Sequence, residues 1–176
     1  MSPTAGRLGA PQLYDRRPRR PARGPRARYA NRVSVRQVPV YYYSSASGMV
    51  RDFAHRLCRP IFDLADREVR TTVPDGPWVL LTPSYKTGNS ENDTVPEPVK
   101  RFLGDAVTRR RLVGVIGSGN RNFGAHYQAA ARSVAKASGR PMLLEFELQG
   151  TQWDVQDAQR ILTELDQALS GESESA

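Results

Sequence analysis

The feature that most constrains this chain is a continuous apolar run that ends in a loop of glycine and amide residues, LVGVIGSGNRNFG at residues 112–124. An apolar run bounded by glycine predicts a β-strand over residues 112–117 that is covered on both faces, as in a parallel sheet. The loop over residues 118–124 suits a ligand, because glycines let the backbone approach a flat surface and asparagines both donate and accept hydrogen bonds. An ordinary strand-to-helix turn, in which glycine and asparagine supply positive φ angles, explains the same residues. The rest of the chain has to decide between these interpretations.

Several functional classes are excluded by what the chain lacks. A single cysteine, Cys58, cannot build a disulfide framework, and with only His55 and His126 as histidines we predict no metal site. No apolar run approaches the length of a membrane span, and no segment has the pattern of a secretory signal, so we expect a cytoplasmic protein with no membrane partner.

The net charge of +8 lies almost entirely in the first residues. Nine of the 26 basic residues but one of the 18 acidic residues fall within residues 1–32, which leaves 17 of each for the rest of the chain. This arginine- and proline-rich stretch has little to bury, so we expect residues 1–37 to be a disordered tail. Such a tail could bind nucleic acid or an acidic partner. A solvated extension, or upstream sequence from a misassigned start codon, fits better, and we do not expect a nucleic-acid partner.

Strand and helix patterns alternate along the remainder of the chain. Apolar periodicity, glycine and proline stops and a Thr151–Asp154 capping box define these elements. Predicted strands cover residues 38–43, 60–64, 78–82, 112–117 and 142–148, and predicted helices cover 49–58, a segment from 95 to Gly104, 125–138 and 151–169. This alternation predicts an α/β fold in which a parallel sheet carries helices on both faces, followed by a disordered end at residues 170–176.

Three polar loops follow predicted strands, so they should meet at the carboxyl edge of the sheet, where such folds bind ligands. Serines and a helix N-terminus after the first strand suit a phosphate, although serine also caps helices. A polar loop with Tyr85 follows the third strand, and the Gly-Asn-Phe loop follows the fourth. Together they suit a mononucleotide with a flat ring, such as FMN.

The chain resembles the NrdI family, the flavodoxin-like accessory proteins of class Ib ribonucleotide reductase, over roughly residues 38–169. The most specific match is GVIGSGNRNFG at residues 114–124, which is nearly identical to the family's run. Further matches are the Tyr-Tyr-Ser-Ser start, Pro83-Ser84-Tyr85, Val95-Pro96, Phe102-Leu103 and FELQGT at 146–151. The resemblance implies a flavodoxin-like doubly wound sheet of five parallel strands in the order 2-1-3-4-5, with 38–169 as its FMN-binding domain.

The resemblance further implies a redox accessory flavoprotein without catalytic side chains, because the flavin carries the chemistry. Such a protein takes electrons from an unidentified electron donor and reduces O2 to superoxide, which activates the dimanganese small subunit of class Ib ribonucleotide reductase. A general electron-transfer flavodoxin, or a nucleic-acid-binding protein acting through its basic tail, remains an alternative. The expected cofactor-binding residues are Ser44, Ser45, Ser47, Met49, Val50, Ser84, Tyr85, Lys86, Thr87, Gly88, Ser118, Gly119, Asn120, Asn122, Phe123 and Gly124.

Two departures from the family pattern fall within this set. The first loop of the family ends in an Asn-Thr pair that serves the phosphate, and here Met49 and Val50 offer only backbone N–H groups. The family's Tyr-Gly-Gly-Gly loop is replaced by Tyr85 followed by Lys86, Thr87 and Gly88. Both changes predict altered FMN affinity and redox tuning.

Overall fold

The structure, a computed structural model, describes residues 36–85 and 94–174. These belong to the unit that spans Ser34–Ala176. The basic tail up to residue 35 lies outside the described residues, and so do the predicted site residues Lys86, Thr87 and Gly88.

A five-stranded sheet forms the centre of the described unit. All neighbouring strands are parallel, and their order is β2-β1-β3-β4-β5, which confirms the predicted flavodoxin-like topology. The strands are β1 Val40–Tyr42, β2 Ile61–Asp63, β3 Trp78–Pro83, β4 Leu112–Gly119 and β5 Met142–Glu147.

Helices connect the strands. They are α1 Met49–His55, α2 Arg67–Thr71, α3 Glu97–Phe102, α4 Ala106–Arg111, α5 Ala129–Ser138 and α6 Gln152–Glu174, with a 3-10 segment over Arg121–His126. Among the helices in the described part of the chain, none is long and apolar enough to span a membrane.

Hydrophobic residues fill both faces of the sheet. Alternate residues of β3 point to opposite sides, so Val79 joins a cluster with Phe53 and Phe146, whereas Trp78 joins a cluster with Phe102. The two phenylalanines of the first cluster stack with their ring centroids 3.8 Å apart. Burial on both faces explains why the central strands read as continuous apolar runs in the sequence.

A buried ion pair fastens α6 to the beginning of β1. Arg59 Nη2 lies 3.2 Å from Asp166 Oδ2, and the two side chains are only 3% and 6% exposed. Asp166 Oδ1 also accepts a hydrogen bond of 2.8 Å from the backbone N–H of Val38, and Arg59 donates one of 2.8 Å to the Val38 carbonyl. This network, Val38 with Arg59 and Asp166, joins three segments that are distant in sequence.

Two predicted boundaries beside the central loop are wrong. Strand β4 continues to Gly119 rather than ending at Gly117, because Ser118 accepts a hydrogen bond from Ser84 on one side and Gly119 accepts one from Leu148 on the other. The following helix begins at Ala129 rather than at residue 125.

The reason for the late helix start is backbone geometry. Gly124 has φ 54° and ψ −119°, and Gln128 has φ 59°, and neither conformation is compatible with a continuous α-helix. His126 therefore lies in the 3-10 segment, and Tyr127 follows it, instead of forming a first helical turn.

Other differences concern the short helices and the last one. Helices α2 and α4, which apolar spacing did not predict, are each capped by an aspartate, Asp66 and Asp105, that accepts a backbone N–H. Helix α6 continues to Glu174, beyond the predicted boundary at residue 169, and its predicted capping box is present, with Thr151 and Asp154 bonded reciprocally.

Candidate functional site

The segments that follow β1, β3 and β4 meet at the carboxyl edge of the sheet and enclose an open cleft of about 200 Å³. The described residues that line it are Ser45, Ser47, Met49, Val50, Pro83, Ser84, Tyr85, Ser118, Gly119, Asn120, Phe123 and Leu148. The predicted convergence of the three loops therefore occurs in the structure.

The loop after β1 presents serine hydroxyls beside a turn. Ser45 Oγ and Ser47 Oγ are 2.9 Å apart, and the Gly48 N–H donates to the Ser45 carbonyl over 3.0 Å. Gly48 has φ 75°, a left-handed conformation that glycine adopts without strain. No side chain caps α1, so the backbone N–H groups of its first turn are not used by a capping residue.

Tyr85 contributes a buried hydroxyl that has no hydrogen-bond partner among the described residues. Its ring meets Tyr43 edge-on, with the ring centroids 6.4 Å apart. Burial raises the pKa of Tyr85 to about 12, and the Ser45 and Tyr43 hydroxyls lie near enough to influence that pKa without meeting hydrogen-bond geometry. An unpaired buried hydroxyl costs about 1–3 kcal/mol, so a ligand that accepts its hydrogen bond would recover that energy.

Three side chains that were predicted to bind the ligand instead form hydrogen bonds with backbone groups of the protein. Ser84 Oγ accepts the Ala130 N–H over 3.0 Å and so anchors α5. Ser118 Oγ donates to the Leu148 carbonyl over 2.7 Å. Asn120 Oδ1 accepts the Asn122 N–H over 2.9 Å and thereby shapes the 3-10 segment. These three side chains position the cleft walls.

Gly119 allows close packing behind the cleft. A methyl group at this position would lie 2.9 Å from Tyr127 Cδ2 and 3.0 Å from the Gln128 backbone nitrogen. Glycine is therefore required for steric reasons, because the unusual backbone at Gln128 passes directly beside it. Phe123 follows in the 3-10 segment and supplies an aromatic wall of the cleft.

The structure does not bring every predicted residue to the cleft. Ser44, Asn122 and Gly124 are absent from its lining, and the last two are exposed. Pro83 and Leu148 line it but were not predicted. Pro83 directly precedes two predicted site residues. Leu148, with φ 54° just after β5, lies within the FELQGT match to the family but was not among the predicted site residues.

The cleft is not the largest cavity in the described part of the chain. A cavity of about 340 Å³ lies among α3, α4 and α5, with Leu103, Leu112 and Val134 in its walls. Because Leu112 is the first residue of β4, this cavity lies away from the carboxyl edge. The cleft at the carboxyl edge is the better candidate site, because ligands of such folds bind there and its walls combine hydroxyls, glycine and aromatic rings.

Sequence comparisons relate the chain to one family. A profile described as "NrdI Flavodoxin like" matches residues 41–160. Among curated proteins, "Protein NrdI" of Bartonella tribocorum is 41% identical over 116 residues, covering 66% of this chain and 86% of that protein. "Protein NrdI" of Escherichia coli O127:H6 is 42% identical over 123 residues, covering 70% of this chain and 90% of that protein.

Solved structures support the same fold. A short-chain flavodoxin associated with a PDU bacterial microcompartment matches with a TM-score of 0.50 at 15% identity, covering 72% of this chain and 93% of that one. A flavodoxin from the domain Archaea matches with a TM-score of 0.50 at 12% identity, covering 75% of this chain and 98% of that one. At such low identity these matches establish the fold alone.

Proposed function

We propose that this chain, which belongs to the NrdI family of flavodoxin-like proteins, binds FMN in the cleft at the carboxyl edge and serves class Ib ribonucleotide reductase. Family membership implies a flavin cofactor. The assignment of FMN, of superoxide as the product and of the dimanganese small subunit as the partner is our proposal, as is a cytoplasmic location.

The observation that carries the proposal is the composition of the cleft. Ser45 and Ser47 offer hydroxyls to a phosphate, and Phe123 and Tyr85 offer aromatic faces to a flat ring. The unpartnered Tyr85 hydroxyl fits a polar edge of such a ring, because a buried donor needs an acceptor. Gly119 and Asn120 also line the cleft, so their backbone amides are further candidates to bond the ring.

When bound, the flavin would supply electron transfer, by which one electron passed to O2 gives superoxide. The protein's part is to bind, orient and partly cover the ring. No described lining residue carries a charged side chain, and Tyr85, with its pKa raised to about 12, keeps its proton at neutral pH. We therefore assign positioning roles to these residues and no proton transfer. A site of this kind is adapted to tuning a cofactor rather than to nucleophilic or general-base chemistry.

The first test is a titration of the purified protein with FMN, followed by quenching of flavin fluorescence. We expect one FMN per chain and a yellow protein. Phe123→Ala should weaken binding about three- to tenfold, since a lost aromatic contact is worth about 0.5–1.5 kcal/mol. Phe62→Ala, on the edge strand β2, is the matched control and should not change affinity. Absence of binding at tens of micromolar FMN would refute the proposal.

The second test concerns the partner. The protein reduced in the presence of FMN should form superoxide in air and generate the tyrosyl radical in a manganese-loaded class Ib small subunit. A protein that binds FMN, reduces O2 and leaves the small subunit without a radical would be a general electron-transfer flavodoxin instead. Radical formation, measured by electron paramagnetic resonance, therefore separates the two functions.

A further inference from the structure

The described walls of the cleft lack positive charge. Its lining contains hydroxyls, amides, aromatic rings and apolar groups, and none of the described lining residues is Lys, Arg or His. A phosphate monoester carries nearly two negative charges at neutral pH, and a hydrogen bond to it from a charged donor is roughly twice as strong as one between neutral groups. A cation close to the serine loop would therefore strengthen the preference for a phosphorylated ligand.

Arg51 is in a position to supply that charge. A methyl group on Gly48 would lie 2.7 Å from Arg51 Nη2, 3.5 Å from Cζ and 3.8 Å from Nε, so the guanidinium packs against Gly48. Gly48 is placed between Ser47 and Met49, both of which line the cleft. Glycine at this position leaves the space that the guanidinium occupies.

The guanidinium of Arg51 is also free to take a new partner. Within residues 36–85 and 94–174 it makes no hydrogen bond or ion pair, and the residue is exposed. The Arg51 charge lies near the Tyr42 hydroxyl, because it lowers the pKa of Tyr42, which burial and Asp63 raise. Asp63 Oδ1 already accepts the Ala65 N–H over 2.8 Å.

The other described cation beside the cleft is engaged elsewhere. Arg121 lies on the loop after β4, but its Nε is 3.4 Å from Glu147 Oε2 and its side chain is 75% exposed. Its guanidinium also lies 5.8 Å from the centre of the Tyr127 ring. Arg51 therefore remains as the unpaired guanidinium adjoining the serine loop.

We infer that Arg51 is a specificity-determining residue that binds the phosphate of the mononucleotide and makes the cleft prefer FMN over riboflavin. The inference rests on the proposed function, because it assigns the phosphate end of the same ligand. Met49 and Val50, which line the cleft, have no polar side-chain atom that could bond a phosphate. Arg51, at the third position of α1 and packed against Gly48, would compensate for the missing polar side chains at these two positions.

The test compares FMN with riboflavin, which has the same ring and no phosphate, in the full-length protein. In low salt, Arg51→Gln should weaken FMN binding about five- to tenfold, as expected for a charge a few ångströms from a dianion in water. Riboflavin affinity should not change. Arg51→Lys should retain part of the FMN affinity, and the loss in Arg51→Gln should shrink in high salt.

Arg110→Gln is the matched control, because Arg110 is an exposed arginine of α4 that precedes β4 and so lies at the opposite edge of the sheet. It removes the same charge and should leave both affinities unchanged. Thermal unfolding of each variant checks that the fold is intact.

The outcomes separate the two proposals. A wild-type protein that binds neither flavin would refute the proposed function itself. A protein that binds FMN but loses nothing in Arg51→Gln, or loses FMN and riboflavin equally, would overturn the role of Arg51 and leave the flavin site standing. Equal wild-type affinity for the two flavins would likewise overturn it, because the phosphate would then not be recognised.

Discussion

Removal of the Asp166 carboxylate should destabilise the fold more than any surface substitution. In Asp166→Ala the Val38 N–H loses its acceptor, and the guanidinium of Arg59 remains buried without a counter-ion. Both consequences are unfavourable, since an unsatisfied buried donor and an uncompensated buried charge each cost free energy.

The magnitude follows from burial. Breaking a buried ion pair by removing one partner costs about 3–5 kcal/mol. Arg59 keeps its hydrogen bond to the Val38 carbonyl, which offsets part of the loss, so we expect the lower end, about 3 kcal/mol. In a domain of this size each kcal/mol lowers Tm by about 3 °C, so the melting temperature should fall by about 10 °C.

The assay is equilibrium unfolding in urea together with a thermal melt. Asp157→Ala is the control, because its pair with Arg160 is exposed, and exposed pairs contribute about 0–1 kcal/mol. Asp166→Asn keeps an acceptor for the Val38 N–H and should fall between the wild type and Asp166→Ala. An Asp166→Ala protein no less stable than Asp157→Ala would refute the argument that this network fastens α6 to β1.

Three further outcomes are expected. Tyr85→Phe should raise the stability of the FMN-free protein by up to about 1 kcal/mol, because an unpaired buried hydroxyl is removed. The same variant should bind FMN more weakly. A loss of stability would mean that the hydroxyl is already bonded. Gly119→Ala should reduce both stability and FMN affinity, because the added methyl group would lie 3.0 Å from the Gln128 backbone nitrogen. Gly76→Ala is the control and should change neither, because the nearest atom to its methyl group is Arg36 Nη1 at 3.9 Å. Burial raises the pKa values of Tyr42 and Tyr85 to about 12, above the unfolded value of about 10. The folded protein therefore holds these protons longer, and its stability should fall as pH rises from about 10 to 12, which a phenolate absorbance titration of native and unfolded protein can check.

The sites of the three cleft loops were predictable because each follows a strand that the sequence marks clearly. Trp78 to Leu81 and Leu112 to Gly117 are continuous apolar runs, as is typical of strands that a parallel sheet buries on both faces. Once those strands are parallel, their carboxyl ends lie at one edge and the loops meet there. Local sequence therefore carried the fold class and the general location of the cleft.

The detailed roles inside the cleft depended on tertiary contacts. Ser84 and Ser118 look like ligand groups in the sequence, but each bonds a backbone group that only the folded chain brings near. Asn120 instead bonds the N–H of Asn122, two residues away, and so shapes its own loop. Leu148 reaches the cleft because β5 lies beside β4 and its backbone N–H bonds the Gly119 carbonyl, a contact that apolar periodicity alone does not reveal.

What the sequence by itself determined was the parallel α/β sheet, the double-sided core and the edge at which a ligand would bind, because apolar periodicity and glycine stops are local properties of the chain. Only the tertiary structure decided where helix α5 begins, which hydroxyl remains unpaired and where an unpaired cation lies. Gln128 donates a hydrogen bond to the Phe146 carbonyl, Tyr85 packs against Tyr43, and the Arg51 guanidinium lies near Gly48 and the Tyr42 hydroxyl. Hydrogen-bond satisfaction and steric fit are set by all atoms around a group, so they become defined only when distant segments pack together.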